Sequence, residues 1–277
     1  MTASLVARRS FLALCLTVLA SGAFAQPAAT AEKEFQPHVG QGGKDVVWVP
    51  TPDTLVEKML DMAKVTSRDY LMDLGSGDGR TVIHAAKRGA HALGVEYNPD
   101  MVELSKRNAT KEGVTDKAQF VKADLFETDF SKATVITMFL LPDINLKLRP
   151  KILNLKPGTR IVSNSFTMGE WKADQTENVT DNCTTWCTAL LWIVPAKVDG
   201  TWRLQDGELK LKQEFQMITG TLNSGGTEMP VKGQLRGEQI TFTAGNAQYA
   251  GRVNGSSIVD GTVKTGSNNS QWGATKK

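Results

Sequence analysis

The chain has 277 residues, with 32 basic and 29 acidic side chains and a formal net charge of +3. Its first 25 residues contain Arg8 and Arg9 and no acidic residue, so the net charge without them is +1. So small a charge disfavours a nucleic acid that is held by bulk electrostatics. We therefore expect no nucleic-acid partner.

The first 25 residues have the pattern of a cleavable signal peptide. Arg8 and Arg9 precede an apolar run that reaches Phe24, and Ala23-Phe24-Ala25 is a small-residue cleavage site. The run is shorter than the roughly 20 residues that a spanning helix needs. We expect cleavage after Ala25, no transmembrane span in the mature chain, and a periplasmic or secreted location. Both a twin-arginine signal and an ordinary secretory signal fit the paired arginines.

Residues 26–45 are polar and contain glycine and proline, which predicts a flexible leader. An apolar stretch then ends in Pro50-Thr51-Pro52, where Thr51 is the expected N-cap of a helix. Two roles are open for this segment. It covers a cofactor or lines an acceptor channel, or it only packs against a sheet.

The most informative stretch runs from Asp73 to Arg80, between an apolar strand and a helix. Glycines at alternate positions let the backbone come close to a ligand, and the helix that follows presents free N–H groups and the positive end of its dipole. The residues expected to contact the ligand here are Asp73, Gly75, Ser76, Gly77, Asp78 and Gly79.

The type of ligand follows from spacing and charge. Gly75-x-Gly77-x-Gly79 departs from the G-x-G-x-x-G pattern of dinucleotide sites, and carboxylates at Asp73 and Asp78 would repel a pyrophosphate. S-adenosylmethionine has no phosphate and carries an ammonium and a sulfonium. We therefore expect this cofactor, with an NAD-dependent oxidoreductase as the less favoured alternative.

From Tyr70 onward, short strands alternate with helices, which predicts a parallel sheet with helices on both faces. The second strand, residues 91–96, ends at Glu96, whose carboxylate is placed to accept hydrogen bonds from ribose hydroxyls. Tyr97 and Asn98 follow, and Asn98 is expected to cap the next helix. We include all three in the predicted cofactor site.

A third strand, residues 118–122, is followed by Asp124 and Leu125. Asp124 is placed to accept from an adenine amino group, and Leu125 offers apolar contact to the ring. A turn or cap role for Asp124 is also open.

The fourth strand, residues 134–141, leads to the residues that we expect to meet the acceptor. Asp143 is predicted to orient an amine, and Asn145 to accept a hydrogen bond from it. The alternative is that both cap a helix over residues 146–153. The three histidines are scattered, so we expect no metal site. Cys183 and Cys187 are close enough in sequence to form a disulfide in an oxidising compartment, or are simply two half-buried side chains.

With these residues in view, the chain resembles the class I S-adenosylmethionine-dependent methyltransferases. More narrowly, it resembles the small protein-lysine methyltransferases that act on the adenine nucleotide translocase and on the c-ring protein of mitochondrial ATP synthase. The similarity covers roughly Val46 to Val194. It rests on these motifs: Val49-Pro50-Thr51-Pro52, Asp73 to Arg80, Gly94-Val95-Glu96-Tyr97-Asn98-Pro99 and Asp124-Leu125-Phe126.

The resemblance implies a Rossmann-like methyltransferase domain over residues 46–195. In it the glycine turn would hold the methionine part, Glu96 the ribose and Asp124 the adenine, and the acceptor would be an amine such as a protein lysine. Three features depart from the family: the export signal, the C-terminal third of the chain, and Leu141-Pro142-Asp143 in place of Asp or Asn followed by two prolines and an aromatic residue.

Residues 196–277 are rich in glycine, threonine and asparagine, and helical periodicity vanishes. Six alternating runs between Gly207 and Val263, with turn signals such as Asn254-Gly255, predict an antiparallel meander or small barrel. This β domain has no catalytic cluster, so we expect a structural role or a role in docking a partner, such as an envelope protein. A non-catalytic envelope protein that retains a nucleoside-binding fold is therefore the alternative to a methyltransferase.

Overall fold

The structure, a computed structural model, describes residues 1–2 and 34–277. The predicted signal peptide and the first part of the predicted leader lie outside these residues, apart from Met1 and Thr2. The helices are α1 (Asp53–Met62), α2 (Arg80–Lys87), α3 (Pro99–Lys111) and α4 (Pro142–Ile152). None of the helices in the described part of the chain is long and apolar enough to cross a membrane.

Seven strands form a mixed sheet in the order β3-β2-β1-β4-β5-β7-β6. They are β1 (Tyr70–Leu74), β2 (His91–Glu96), β3 (Ala118–Lys122), β4 (Val135–Met138), β5 (Arg160–Asn164), β6 (Gln175–Asn178) and β7 (Thr188–Ile193). The first five are parallel, with Asp73 opposite Gly94 on β2 and Thr137 on β4, whereas β7 is antiparallel to β5 and to β6. This is the predicted α/β, Rossmann-like arrangement.

Each face of the sheet has its own core because successive strand residues point to opposite faces. On β1, Leu71 packs with α1, α2 and α3, whereas its neighbour Met72 packs with α4. The helices therefore cover both faces, as predicted, and the open edge of the sheet lies where the parallel strands end.

Two element boundaries differ from the sequence prediction in ways that affect the site. α4 begins at Pro142, four residues earlier than predicted, because Pro142 takes the first turn, where a missing N–H costs nothing. α1 begins at Asp53, and its N-cap is Pro52 instead of Thr51, with no side-chain cap. Thr51 is thus free to take other hydrogen bonds.

The C-terminal strands form a closed antiparallel barrel in the order β10-β11-β12-β13-β14-β15-β8-β9. They are β8 (Gly200–Leu204), β9 (Gly207–Glu214), β10 (Met217–Ser224), β11 (Thr227–Arg236), β12 (Gln239–Ala244), β13 (Ala247–Asn254), β14 (Ser257–Thr265) and β15 (Asn268–Lys276). The six predicted runs all form strands, and β8 and β15 complete the circle by pairing with each other. A third core of alternating side chains fills the barrel.

The barrel contacts the sheet through one aromatic side chain in particular. Phe215, between β9 and β10, stacks on buried Trp171 with ring centroids 6.1 Å apart. The Arg149 guanidinium of α4 lies 5.2 Å from the centre of the same ring. Gln216 donates to the Lys172 carbonyl at 2.8 Å. Phe215 has a φ of 52°, which is unfavourable for an aromatic residue, so its ring contacts must outweigh that cost.

We predict that Phe215→Ala lowers the free energy of unfolding by about 2 kcal/mol, because it removes a ring that packs on Trp171 while the strained backbone remains. Urea denaturation measures the change. Met217→Ala is the matched control, since this neighbouring side chain is 46% exposed and should change stability little. Equal losses in the two variants would contradict a role for the ring contact.

Candidate functional site

A cavity of about 510 Å³ opens at the edge where β1, β2, β4 and β5 end. Its volume lies in the range of small-molecule sites, roughly 300–1,000 Å³. Most residues of the predicted cofactor site line it: Thr51, Asp73, Gly75, Ser76, Gly77, Asp78, Glu96, Tyr97 and Asn98. Gly79, Asp124, Leu125, Asp143 and Asn145 do not.

The glycine turn after β1 has the backbone shape that its sequence predicts. Gly75 and Gly77 have φ values of 79° and 55°, a region that favours glycine. A Cβ atom on Gly77 would lie 2.7 Å from the Trp48 indole nitrogen, so a side chain at this position would collide with Trp48 in the cavity wall. Gly79 is the N-cap of α2 and has a φ of 83°, so it ends the turn at the start of that helix.

Asp73 lies beneath this turn and is buried. Its Oδ1 accepts a hydrogen bond of 2.7 Å from the Thr137 hydroxyl on β4. The pKa of the Asp73 carboxyl is raised to about 7, chiefly by burial and to a smaller extent by the nearby charges of Asp78 and Glu96, while the Thr137 bond opposes the shift. A cation bound beside Asp73 would therefore favour its ionised form.

Glu96 at the end of β2 holds two turns together. Its Oε2 accepts from the Gly77 N–H at 3.0 Å, and its Oε1 accepts from the Asn98 N–H at 2.9 Å. Each oxygen has further capacity to accept. Asn98 caps α3, as predicted, by accepting from the Asp100 N–H at 2.9 Å.

The predicted adenine contact, Asp124, already has a partner. Its Oδ2 accepts from the Lys44 ammonium at 2.9 Å, which lowers the pKa of the carboxyl. Lys44 lines the cavity and lies 5.2 Å from the centre of the Tyr97 ring. Leu125 packs at the margin of the core beneath. A direct role for Asp124 and Leu125 in cofactor binding stays a prediction.

The two residues predicted to meet the acceptor lie away from the cavity. Asp143 is exposed in the first turn of α4. Asn145 is fully buried, and its side-chain amide donates to the carbonyls of Phe166 and Thr167 at 3.3 and 3.2 Å. Because α4 starts early, Asn145 points into this loop, so its geometry suits positioning the Phe166 segment.

Residues 41–51 make one wall of the cavity. Gly40 and Gln41 pair with Trp48 through backbone hydrogen bonds of 2.9 and 2.8 Å, so the end of the predicted flexible leader is a hairpin. Arg80 binds the wall to the glycine turn: its guanidinium donates to the Thr51 carbonyl at 2.9 Å and pairs with Asp78 at 2.6 Å. Sequence reasoning had given Arg80 no role, although an arginine two residues after an aspartate is a local signal for such a pair.

The opposite wall is aromatic. Phe139, Phe166 and Trp186 line the cavity beyond β4 and β5. Trp186 belongs to a loop that is closed by the Cys183–Cys187 disulfide, a bond that the sequence had left open. No sequence motif marks these rings as a group, because they come from three separate segments.

The residues present fit the expected S-adenosylmethionine. Ser76 lines the cavity, and its hydroxyl, buried beside Gly94, has no hydrogen-bond partner among the described residues. The glycine turn provides room, and Asp73 and Glu96 provide carboxylates. Within residues 1–2 and 34–277, no group of three or more His, Cys, Asp or Glu side chains is arranged to hold a metal ion.

Comparison with known proteins gives consistent results. The family model of the ANTKMT methyltransferase domain matches residues 73–175. A protein-lysine N-methyltransferase of Saccharolobus islandicus is 46% identical over 139 residues, which cover 49% of this chain and 86% of that protein. The adenine nucleotide translocase lysine N-methyltransferase of Mus musculus is 33% identical over 104 residues, which are 37% of this chain and only 45% of the mouse protein.

Among solved structures, an RNA methyltransferase from Salinibacter ruber in complex with S-adenosyl-L-homocysteine is 45% identical. The alignment covers 54% of this chain and 96% of that one, with a TM-score of 0.51. These relatives confirm the resemblance that the motifs suggested and favour catalysis over the non-catalytic alternative. The chain therefore belongs to the ANTKMT methyltransferase family and is an S-adenosylmethionine-dependent methyltransferase.

Proposed function

We propose that this methyltransferase acts on the ε-amino group of a lysine in a protein, and that it acts after export from the cytoplasm. The proposal of a lysine acceptor rests on similarity to a protein-lysine N-methyltransferase. The two sequences are 46% identical, and the aligned residues cover 86% of that protein. The net charge of +1 expected after signal cleavage agrees with a protein acceptor better than with RNA.

The cofactor would be held by groups at two strand ends and by the wall of residues 41–51. The glycine turn admits the methionine part, and the buried Asp73 carboxylate suits its ammonium. Glu96 has the remaining acceptor capacity for ribose hydroxyls while it keeps the turn in shape. The Trp48 and Thr51 wall covers the site from the other side. Together these groups would hold the cofactor against the glycine turn.

The cofactor supplies an electrophilic methyl group, so the protein's task is to position a neutral amine and exclude water. Thr51, Phe139, Leu141, Phe166 and Trp186 line the side of the cavity that faces away from Glu96. An apolar wall disfavours the charged form of a lysine amine and lowers its pKa. The Thr51 hydroxyl is fixed by Asn164, which donates to it at 3.2 Å, and it can accept a hydrogen bond from the amine.

Export is the second part of the proposal. It rests on Arg8-Arg9, the apolar run to Phe24 and the cleavage pattern that ends at Ala25. The Cys183–Cys187 disulfide suits an oxidising compartment. An envelope partner for the barrel stays a prediction.

We predict that the mature chain, residues 26–277, transfers methyl groups from S-adenosylmethionine to lysine in oligolysine and in proteins of an envelope extract. Mass spectrometry would show additions on lysine, and Glu96→Ala should abolish them together with the calorimetric binding of S-adenosylhomocysteine. RNA is tested as the methyl acceptor in a parallel assay. Methylated RNA with unmodified lysine would contradict the proposed acceptor while leaving the enzyme class intact.

We predict that cofactor affinity depends on pH through Asp73, whose pKa is about 7 in the free protein. An ammonium bound beside Asp73 requires the carboxylate, so below that pKa affinity should fall by up to about tenfold per pH unit, and above it should level off. Calorimetric titration with S-adenosylhomocysteine measures this. Asp73→Asn should bind more weakly and without the pH dependence. A flat profile in the wild type would contradict the assignment.

The same shift has a consequence for folding, and its sign is opposite to that of a salt-bridged acid. Between the ordinary pKa of 3.8 and about 7, the folded chain keeps a proton on Asp73 that the unfolded chain has lost. The contribution of Asp73 to stability therefore falls as pH rises through this window. Asp73→Asn should remove that part of the pH dependence in urea denaturation.

We predict that cells that make the full chain release a product that begins at Gln26 into the periplasm or medium. Cell fractionation followed by N-terminal sequencing measures this. A double substitution of Arg8 and Arg9 by lysine distinguishes the routes, because only a twin-arginine signal should fail. An uncleaved chain that stays in the cytoplasm would contradict export.

A further inference from the structure

Three aromatic rings form a continuous surface on one side of the cavity. Phe139 and Phe166 are stacked with centroids 5.8 Å apart, and Trp186 is tilted against both, 6.3 Å from Phe139 and 5.0 Å from Phe166. We call these three side chains the aromatic wall. All three line the same cavity as the glycine turn.

The order of the strands separates the aromatic wall from the nucleoside contacts. Glu96 is the last residue of β2, on one side of β1, whereas Phe139 follows β4 and Phe166 follows β5, on the other side. Neighbouring strands lie about 4.8 Å apart, so β2 and β5 are separated by roughly 14 Å. A cofactor with its ribose at Glu96 and its methionine part at the glycine turn would lie over the ends of β2 and β1 and leave the side beyond β4 uncovered. The aromatic side is therefore available to a second ligand.

A different structural feature positions each ring of the aromatic wall. Phe139 directly follows β4. The Phe166 carbonyl accepts a hydrogen bond from buried Asn145. Trp186 has a φ of 60° within the loop that the Cys183–Cys187 disulfide closes. The same loop is tied to α1, where the Thr54 hydroxyl donates to the Asp181 carbonyl at 3.0 Å.

Trp186 contributes little to the core. Its side chain is 44% exposed, although tryptophan is among the most costly side chains to leave in water. A disulfide and an unfavourable backbone conformation thus hold a large ring at the mouth of a cavity. Such an arrangement is typical of a ring that contacts a ligand.

We propose that the aromatic wall is the acceptor subsite, that it binds the aliphatic stem and the ammonium of a lysine side chain, and that the disulfide loop sets its affinity by positioning Trp186. This rests on the lysine acceptor proposed above. The ring faces attract an alkylammonium within about 6 Å, and more methylated forms remain cations that suit the same surface.

The subsite also serves the transfer step. The lysine binds at the rings as an ammonium and loses its proton to solvent before transfer, since desolvation in the cavity favours the neutral amine. Its nitrogen lone pair then forms the bond to the methyl carbon while the carbon–sulfur bond breaks and its electron pair stays on sulfur. Among the lining residues, the acids are Asp45, Asp73, Asp78 and Glu96, which come from the residue 41–51 wall, the glycine turn and the ends of β1 and β2, so the segments that carry the rings add no carboxylate that would oppose loss of the proton.

The first experiment measures binding without catalysis. N-acetyl-trimethyllysine amide is titrated into the mature chain that is saturated with S-adenosylhomocysteine. We expect Trp186→Ala to weaken its binding by about tenfold or more and Trp186→Phe by less, with the affinity for S-adenosylhomocysteine unchanged in both. Met217→Ala, an exposed side chain on the barrel, is the control. Unchanged binding in Trp186→Ala, or no binding to the wild type, overturns the proposal.

The second experiment tests the loop. Reduction with dithiothreitol, and separately the double variant Cys183→Ser with Cys187→Ser, should weaken trimethyllysine binding in the wild type but cause no further loss in Trp186→Ala. Equal losses in both backgrounds would overturn the role of the disulfide in positioning Trp186. Reduction of the wild type needs no Trp186 variant, so unchanged trimethyllysine binding after reduction would overturn the role of the disulfide loop even if Trp186→Ala fails to fold.

Methyl transfer to oligolysine separates failure of the subsite from failure of the proposed function. Relative to the wild type, KM for oligolysine should rise in Trp186→Ala while kcat changes little. Transfer with the same KM in both proteins would overturn the subsite and leave the lysine acceptor standing. Absent transfer to any lysine, with trimethyllysine binding that depends on Trp186, would overturn the acceptor and support a subsite for alkylammonium groups.

Discussion

The carboxylate of Glu96 is the interaction on which the site depends. By accepting from the N–H groups of Gly77 and Asn98, it joins the turn after β1 to the turn after β2. Helix α3 strengthens the same junction, since the Ser105 hydroxyl donates to the Gly77 carbonyl at 2.8 Å and the Asn108 amide to the Asp78 carbonyl at 2.9 Å. The glycine turn is thus held open from several sides before any ligand arrives.

The sequence predicted this half of the site because its signals are local. Asp73 and Glu96 lie at the ends of strands that the pattern of apolar residues identifies. The glycines after Asp73 identify the turn that lies between these two acids. Asn145 shows where local reasoning fails. Its position after a strand suggested an acceptor contact, but an early proline start to α4 turns it toward the Phe166 loop, which only the folded chain reveals.

The aromatic wall and the closure of the barrel could not be predicted from the sequence, for a related reason. Phe139, Phe166 and Trp186 meet only because β4, β5 and β7 are neighbours in the sheet. In the barrel, β8 is short and β15 is rich in asparagine and serine, so neither shows clear alternation, and their pairing joins Trp202 to Lys276 across almost the whole barrel sequence. Long-range pairing of this kind leaves no pattern within a short window.

The hairpin of residues 40–48 makes contacts that depend on strands later in the chain. Lys44 pairs with Asp124, 80 residues later in the chain, and Trp48 packs against the turn at Gly77. Neither contact exists until β1, β2 and β3 have come together, although the hairpin is synthesised first. Because both contacts need residues that these strands position, this wall of the cavity is in place only when that part of the sheet has formed. A chain that can hold the cofactor between its two walls has therefore already folded its catalytic sheet.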